Sequence, residues 1–210
     1  MQEVPRPSKE KKKPAYFRPA DIEKLIQVMR SHADEVCDAA GRSPDVKWLE
    51  EITRVAVGTG LRRGELINLR WRDVDLQERR IHVRHREDFS TKGNAERSIP
   101  LRGNALLTLQ EMSDTRSPKR DEPVFKDQNG KAIRPDRVSS RFKTFVRKAG
   151  LDDRLHFHSL RHTTASWLTM DGVPMRVIQA ILGHASIQTT EIYSHLAPET
   201  LDAAMDETFG

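Results

Sequence analysis

The stretch LGHASIQTTEIYSHL, Leu182–Leu196, holds one of only two tyrosines in this 210-residue chain. Tyr193 stands nine residues after His184, which itself follows Gly183. The pattern predicts a break at Gly183 and then a short polar helix over about 186–195, with Ser186, Gln188 and Thr189 exposed. A lone tyrosine on a helix is ordinarily a packed residue whose hydroxyl has found a partner. The longer segment GVPMRVIQAILGHASIQTTEIYSHL (172–196) also has the outline of a helix-turn-helix, with Gln188 and Thr189 placed to read bases. Against that, its second helix contains no arginine or lysine, which a recognition helix usually carries.

Three other segments hold residues suited to chemistry. In HFHSLRHTTASW (156–167), His158 and Arg161 are three apart, which on a helix puts them ~60° from each other on one face. An imidazole beside a guanidinium suits an anion such as a phosphate. His158 and His162 also have the i, i+4 spacing of zinc ligands, with His156 and His184 in reserve. The zinc-protease pattern, however, needs glutamate directly after the first histidine, and Ser159 is there instead. An arginine between the two would-be ligands also repels a dication. In GTGLRRGELINL (58–69), two glycines lead into a helix start carrying Arg62 and Arg63, with Glu65 one turn in, a favourable place for an anion. Lys92 falls at the tip of DFSTKGNA, the turn between two strand-like runs. A lysine there is ordinarily solvated, yet its long stem could reach a ligand bound elsewhere.

Each segment alone has an ordinary structural explanation. In the order TGLRRGEL, TKGNAERSIPL, HSLRH and LGHASIQTTEIYSHL, the chain resembles the catalytic domain of the tyrosine recombinases, the phage-integrase family, over roughly residues 18–200. The resemblance implies six catalytic residues: Arg62, Lys92, His158, Arg161, His184 and Tyr193. Glu65 and His162 would support them. It implies that Arg62 and Arg161 clamp a scissile phosphate, that His184 donates a hydrogen bond to it, and that Tyr193 attacks to give a 3′-phosphotyrosine. Lys92 would protonate the departing 5′ oxygen, and His158 would assist proton transfer at the tyrosine. Neither a metal nor another cofactor is implied, nor is ATP.

The implied partners are double-stranded DNA, three further copies in a tetramer on synapsed duplexes, and possible accessory DNA-bending factors. Arg63, Arg137, Arg141 and Lys148 are further candidates for DNA contact. Members of the family typically carry an N-terminal domain that clamps the far side of the DNA. Here only a basic tail is expected before the catalytic domain, so the chain reads as a fragment or a minimal relative. Type IB topoisomerase-like relaxation and a non-catalytic helix-turn-helix protein are the competing readings.

Composition agrees with a nucleic-acid partner without proving one. The net charge is +5 and the isoelectric point about 9.5. Residues 1–18 hold Arg6, Lys9, Lys11, Lys12, Lys13 and Arg18 against Glu3 and Glu10, so +4 of the excess lies in the tail. The body is nearly balanced and must collect its cations on one face to hold DNA. MQEVPRPSKEKKK lacks the apolar core of a signal peptide, and no run approaches the ~20 apolar residues of a membrane span. A single cysteine, Cys37, fits a reducing compartment. A cytoplasmic, nucleoid-associated protein is therefore expected.

The hydrophobic spacing predicts a mainly α domain with a small antiparallel sheet (α+β), over residues 18–210 behind a flexible tail at 1–17. Helices are expected after RPAD (Ile22, Leu25, Ile26, Met29 inward), from Ser43-Pro44 to Gly58/Gly60, and over LRRGELINL. Strands are expected at 79–87 and 96–101. Further helices are expected at about 104–112, over RPDRVSSRFKTFVRKAG with Gly150 as its cap, and at about 158–171 and 174–182. APETLDAAMDETF is expected to form one further amphipathic helix; the resemblance implies that Leu201, Ala204, Met205 and Phe209 dock on a neighbouring copy, with packing on their own domain as the alternative.

Overall fold

Residues 13–35, 46–85, 96–127 and 130–198 are described by the computed structural model. Lys92, Cys37, Ser43, Pro44, most of the basic tail and the segment carrying Leu201 to Phe209 lie outside them.

Helix α1 (Pro19–Glu35) opens with a proline in its first turn, and the Asp21 carboxylate accepts from the Arg18 N–H at 2.9 Å. Its 3–4 spacing buries Leu25, Ile26 and Met29, while Ile22 packs at the margin. Helix α2 (Lys47–Thr59) begins later than Ser43-Pro44 suggests, because the Val46 carbonyl accepts the first helical bonds, from Leu49 and Glu50. Trp48, Leu49, Ile52, Val55 and Ala56 face inward as expected, and α2 forms a central strut against which the helices before Met170 pack.

The strut ends at Gly60, left-handed at φ +64°, whose N–H returns to the Ala56 carbonyl. A Cβ there would come within 2.6 Å of Leu182, so a glycine is needed both for the turn and for the close approach. The turn delivers the chain to α3 (Arg63–Ile67), shorter than the expected 61–69 because Arg62 serves as its cap.

The sheet has one strand more than expected. β1 (Val74–Asp75), β2 (Arg80–Val83) and β3 (Arg97–Pro100) pair antiparallel in that order, with Ile81 opposite Ile99. Both isoleucines are buried while Arg80 and Ser98 beside them are exposed, the alternation of a one-sided sheet. The strands are shorter than expected: Arg79, at φ +52°, holds the turn before β2, and Arg84 and His85 already lie beyond it.

Helix α4 (Gly103–Arg116) runs a turn past the expected end, where Arg116 bonds Glu51 of α2 at 2.5 Å. Helix α5 (Pro135–Lys148) buries Val138, Phe142, Phe145 and Val146 and ends in Gly150 at φ +60°. Phe142 meets Phe17 and Phe157 edge-on at 5.9 and 5.3 Å. Helix α6 (Ser159–Met170) joins two apolar clusters: Leu160 belongs to the main core, and Ala165 to a smaller one with Ile178, Leu182 and Tyr193. Phe17 straps across α6, its N–H to Thr163 and its carbonyl to the Trp167 indole.

Helix α7 (Met175–Leu182) ends at Gly183, but the helix expected over 186–195 is broken. It consists of α8 (Gln188–Glu191), a turn, and a 3-10 turn at Ser194–Leu196. Ser186, Gln188 and Thr189 are exposed, but Thr190 is fully buried and the break turns Tyr193 inward. A single-turn α8 gives the helix-turn-helix reading no second helix long enough to fill a DNA groove. Among the described residues no helix is long and apolar enough to cross a membrane.

Candidate active site

Four separate elements bring their ends together: the start of α3, the start of α6, the turn after α7 and the turn after α8. Arg62 arrives first. Its N–H donates to Glu65 at 2.8 Å, and its guanidinium donates to the same carboxylate at 2.9 Å and to the Gly183 carbonyl at 2.6 Å. Glu65 is 5% exposed and also receives two bonds from Arg97, at 3.0 and 2.7 Å. Burial drives the Glu65 carboxyl up, but the bonds and charge of Arg97 and the Arg62 N–H outweigh it and hold the group below the usual carboxylate range.

Arg97 was not singled out by sequence. It reads as an ordinary arginine at the start of a strand, and only the meeting of β3 with α3 and α7 reveals its place. Its Nε donates to the Ile181 carbonyl at 2.9 Å. Gly183, at φ +66°, lies directly against it: a Cβ at that position would stand 2.9–3.0 Å from the guanidinium.

Arg161, 4% exposed, donates from Nη1 to the Gly60 carbonyl at 2.7 Å. Its Nη2 is buried with no hydrogen-bond partner among the described residues. An orphaned charged donor is costly in a folded chain and is satisfied when an anion arrives. Burial, then the neighbouring Arg62, lower its pKa to about 9, so it remains a cation at neutral pH. Arg62, Arg97 and Arg161 against Glu65 leave the cluster with a surplus of two positive charges.

The Tyr193 side chain is 1% exposed, and its hydroxyl lies 2.5 Å from Nδ1 of His162. The resemblance assigns proton transfer at the tyrosine to His158, but the ring in hydrogen-bonding contact is that of His162. His158 is the cap residue before α6 and is exposed, while His162 sits one turn inside the helix, facing α8. The two rings meet edge-on with centroids 4.9 Å apart, so His158 stands one ring removed from the hydroxyl. Burial, with His158, His156 and Arg161 adding to it, lowers His162 to about 4; the neutral ring can accept a proton at pH 7. Burial pushes Tyr193 up to about 12, and the positive charge of Arg161 pulls the other way. His158 is also held below the ordinary histidine value, by removal from water and then by Arg161.

His184 follows the left-handed Gly183. Gln179 fixes its backbone, accepting the His184 N–H at its carbonyl and donating from its side chain to the His184 carbonyl at 3.1 Å. Its Nδ1 lies 2.9 Å from the Thr190 hydroxyl. Burial, then Arg161 and Arg62, lower it to about 4.

The structure thus gathers Arg62, Glu65, Arg161, His162, His184 and Tyr193 and adds Arg97. Lys92 lies outside the described residues. Of the candidate DNA contacts, Arg137, Arg141 and Lys148 lie within ~40° of one another round α5, while Arg63 belongs to α3. Arg137 pairs with Asp127 at 3.3 Å and lies over Trp48, and Lys148 approaches His32 of α1 at 3.2 Å. Arg63 bonds Ser139, ~160° round the helix from Arg137. Arg141 is exposed. Among the described residues no group of three metal-ligating side chains is close enough to hold an ion.

A mainly helical domain with a small three-stranded sheet, presenting a tyrosine against a histidine and an arginine cluster, has the architecture of a tyrosine-recombinase catalytic domain. The sequence model of the phage integrase family matches residues 16–200, and the chain belongs to that family. It is 31% identical over 179 residues to tyrosine recombinase XerC of Proteus mirabilis, a match covering 84% of this chain and 54% of that one. The chain spans about half the length of the curated relatives it matches. The crystal structure of XerA recombinase superimposes with a TM-score of 0.69 at 27% identity, over 98% of this chain and 67% of XerA. The catalytic domain of bacteriophage HP1 integrase matches end to end: 92% of this chain, 94% of that one, TM-score 0.64 and 26% identity.

Proposed function

We propose that this chain is the catalytic part of a site-specific DNA recombinase that cuts and rejoins strands through Tyr193. The observation that carries the reading is one juxtaposition: a tyrosine hydroxyl on a neutral histidine, beside a buried arginine with an unsatisfied N–H. A phosphodiester entering the cluster supplies the missing acceptor for Arg161 Nη2 and meets the surplus charge of the three arginines. Arg62 and Arg161 neutralise its non-bridging oxygens, a role that suits a planar fork that stays protonated. His184 donates a further hydrogen bond.

The Tyr193 oxygen forms a bond to phosphorus as its proton passes to Nδ1 of His162, with His158 behind it. The bond from phosphorus to the 5′ oxygen breaks, and Lys92 supplies the proton that the departing oxygen needs. The products are a 3′-phosphotyrosine and a free 5′-hydroxyl. Attack by the 5′-hydroxyl of a second strand reverses the steps and rejoins the DNA, so ATP is not needed. The arginines supply the charge that a metal would otherwise bring.

The family relationship supports double-stranded DNA as the partner, a homotetramer on two synapsed duplexes as the working assembly, and the cytoplasm as its place. Accessory bending factors and activity on a mobile element belong to the same proposal. The test is to incubate the chain in EDTA with a pool of nicked duplexes, randomised around the nick, and to look for SDS-resistant adducts. Wild type forms them; Tyr193→Phe does not, and Arg161→Ala is slower by ~10²–10³. Adduct formation by Tyr193→Phe, or its loss in EDTA, contradicts the proposal.

A further inference from the structure

Thr190 is fully buried on α8, three residues before Tyr193, and its hydroxyl faces Nδ1 of His184 at 2.9 Å. Among the described residues that hydroxyl has no other hydrogen-bond partner. A threonine hydroxyl has one proton to donate, and a buried donor left without an acceptor is costly. If Nδ1 carried the imidazole proton, it would donate to Thr190 Oγ1, and the hydroxyl's own proton would have nowhere to go. If Nδ1 is bare, the hydroxyl donates to it and both groups are satisfied. The second arrangement puts the ring proton on Nε2.

The choice matters because His184 is neutral at physiological pH, its pKa lowered by burial and by Arg161 and Arg62. A neutral imidazole donates from one nitrogen only. Nδ1 is occupied by Thr190, so Nε2 is the nitrogen left to act on a ligand.

We propose that Thr190 is a positioning residue that fixes His184 in the Nε2–H tautomer, so that a neutral histidine donates a hydrogen bond to the scissile phosphate. The same residue ties that donor to the nucleophile, because its carbonyl accepts the Tyr193 N–H at 3.1 Å. The phosphate half of this inference rests on the function proposed above; the tautomer does not.

Imidazole nitrogen shifts, read from long-range proton–nitrogen correlation spectra of the DNA-free chain, report the tautomer directly. Adduct formation on the randomised nicked pool reports its consequence. Wild type and Thr190→Ser are expected to hold the proton on Nε2. Thr190→Val, equal in shape but without the hydroxyl, is expected to release the choice of tautomer, so that the Nδ1–H form becomes populated beside the Nε2–H form. Cleavage should fall in the valine variant, by up to ~10², the scale of losing one oxyanion donor, and recover in the serine variant. A wild-type proton on Nδ1, an unmoved tautomer in Thr190→Val, or wild-type cleavage by Thr190→Val overturns the inference. If the tautomers behave as stated but His184→Ala cleaves at the wild-type rate, the role at phosphate falls and the tautomer assignment stands.

Discussion

The Tyr193 hydroxyl is hydrogen-bonded to Nδ1 of His162 at 2.5 Å, and His158 touches that histidine rather than the tyrosine. Backbone position decides between the two: His158 precedes α6, whereas His162 lies on its second turn and looks across at the break after α8. His162→Ala is therefore expected to slow cleavage by ~10²–10⁴, the range of a lost general base. His158→Ala, one ring removed, should lose at least tenfold less. Single-turnover rates of adduct formation measure both. Equal losses, or a greater loss at His158, would place the base at His158 after all.

Proton transfer to a neutral His162 also sets a pH limit. Its pKa of about 4 means that cleavage stays level down to about pH 5 and falls as His162 becomes charged. Stability changes in the same direction. His162 and His184 have folded-state values of about 4, below the ordinary 6.5, so the unfolded chain binds more protons between those values. Their contribution is full above about pH 6.5 and is lost as pH falls toward 4, by about 1–3 kcal/mol for each ring. Chemical denaturation of wild type and His162→Gln across pH 4–8 measures it. The glutamine variant should show the shallower dependence.

Glu65 holds Arg62 and Arg97 on one carboxylate, and both arginines bond to the α7 end, at Gly183 and Ile181. Removing the carboxylate leaves two largely buried guanidiniums without their counter-charge. Glu65→Ala is expected to cost about 3–5 kcal/mol in urea denaturation, as breaking a buried ion pair from one side generally does. Arg97→Ala leaves Glu65 paired with Arg62 and should cost less in stability. It should still slow cleavage by releasing Arg62 and the Gly183 turn. Arg97→Lys, which cannot span the carboxylate and the Ile181 carbonyl together, should recover only part of the rate.

At Gly183 two requirements coincide: a φ of +66° and the Arg97 guanidinium where a Cβ would project. Gly183→Ala should lower stability by about 1–3 kcal/mol, through backbone strain and displacement of the arginine. Thermal unfolding of this variant in the Arg97→Ala background separates the causes. With the arginine gone, only the strain should remain.

Much of the helical scaffold was legible because its signals are local. The inward residues of α1, α2 and α5 follow 3–4 spacing, and Gly60 and Gly150 stop their helices where an αL residue is required. The sheet was only partly so: β1 has two residues, too few to show alternation. The composition of the 186–195 segment permits one continuous helix. Packing of Tyr193 with Ala165, Ile178 and Leu182 breaks it instead.

Most of the site came from the family pattern, which marks residue identities and their order. The pattern is silent about contacts between elements distant in sequence. Arg97 reaches Glu65 across 32 positions, and Thr190 is hidden by the same break that buries Tyr193. The choice of His162 over His158 also lies in the contact with Tyr193, since both fit the i, i+4 spacing of one helix face.

Whether Tyr193 is the nucleophile is read from the position of the covalent bond. Adducts trapped on nicked duplexes are digested, and the DNA-linked peptide is sequenced by mass spectrometry. The chain has two tyrosines, Tyr16 and Tyr193, so the assignment has a built-in control. The expected result is a 3′-phosphate carried on Tyr193 and a free 5′-hydroxyl on the departing strand. A bond to Tyr16 or to any other side chain, or attachment through a 5′-phosphate, would contradict it.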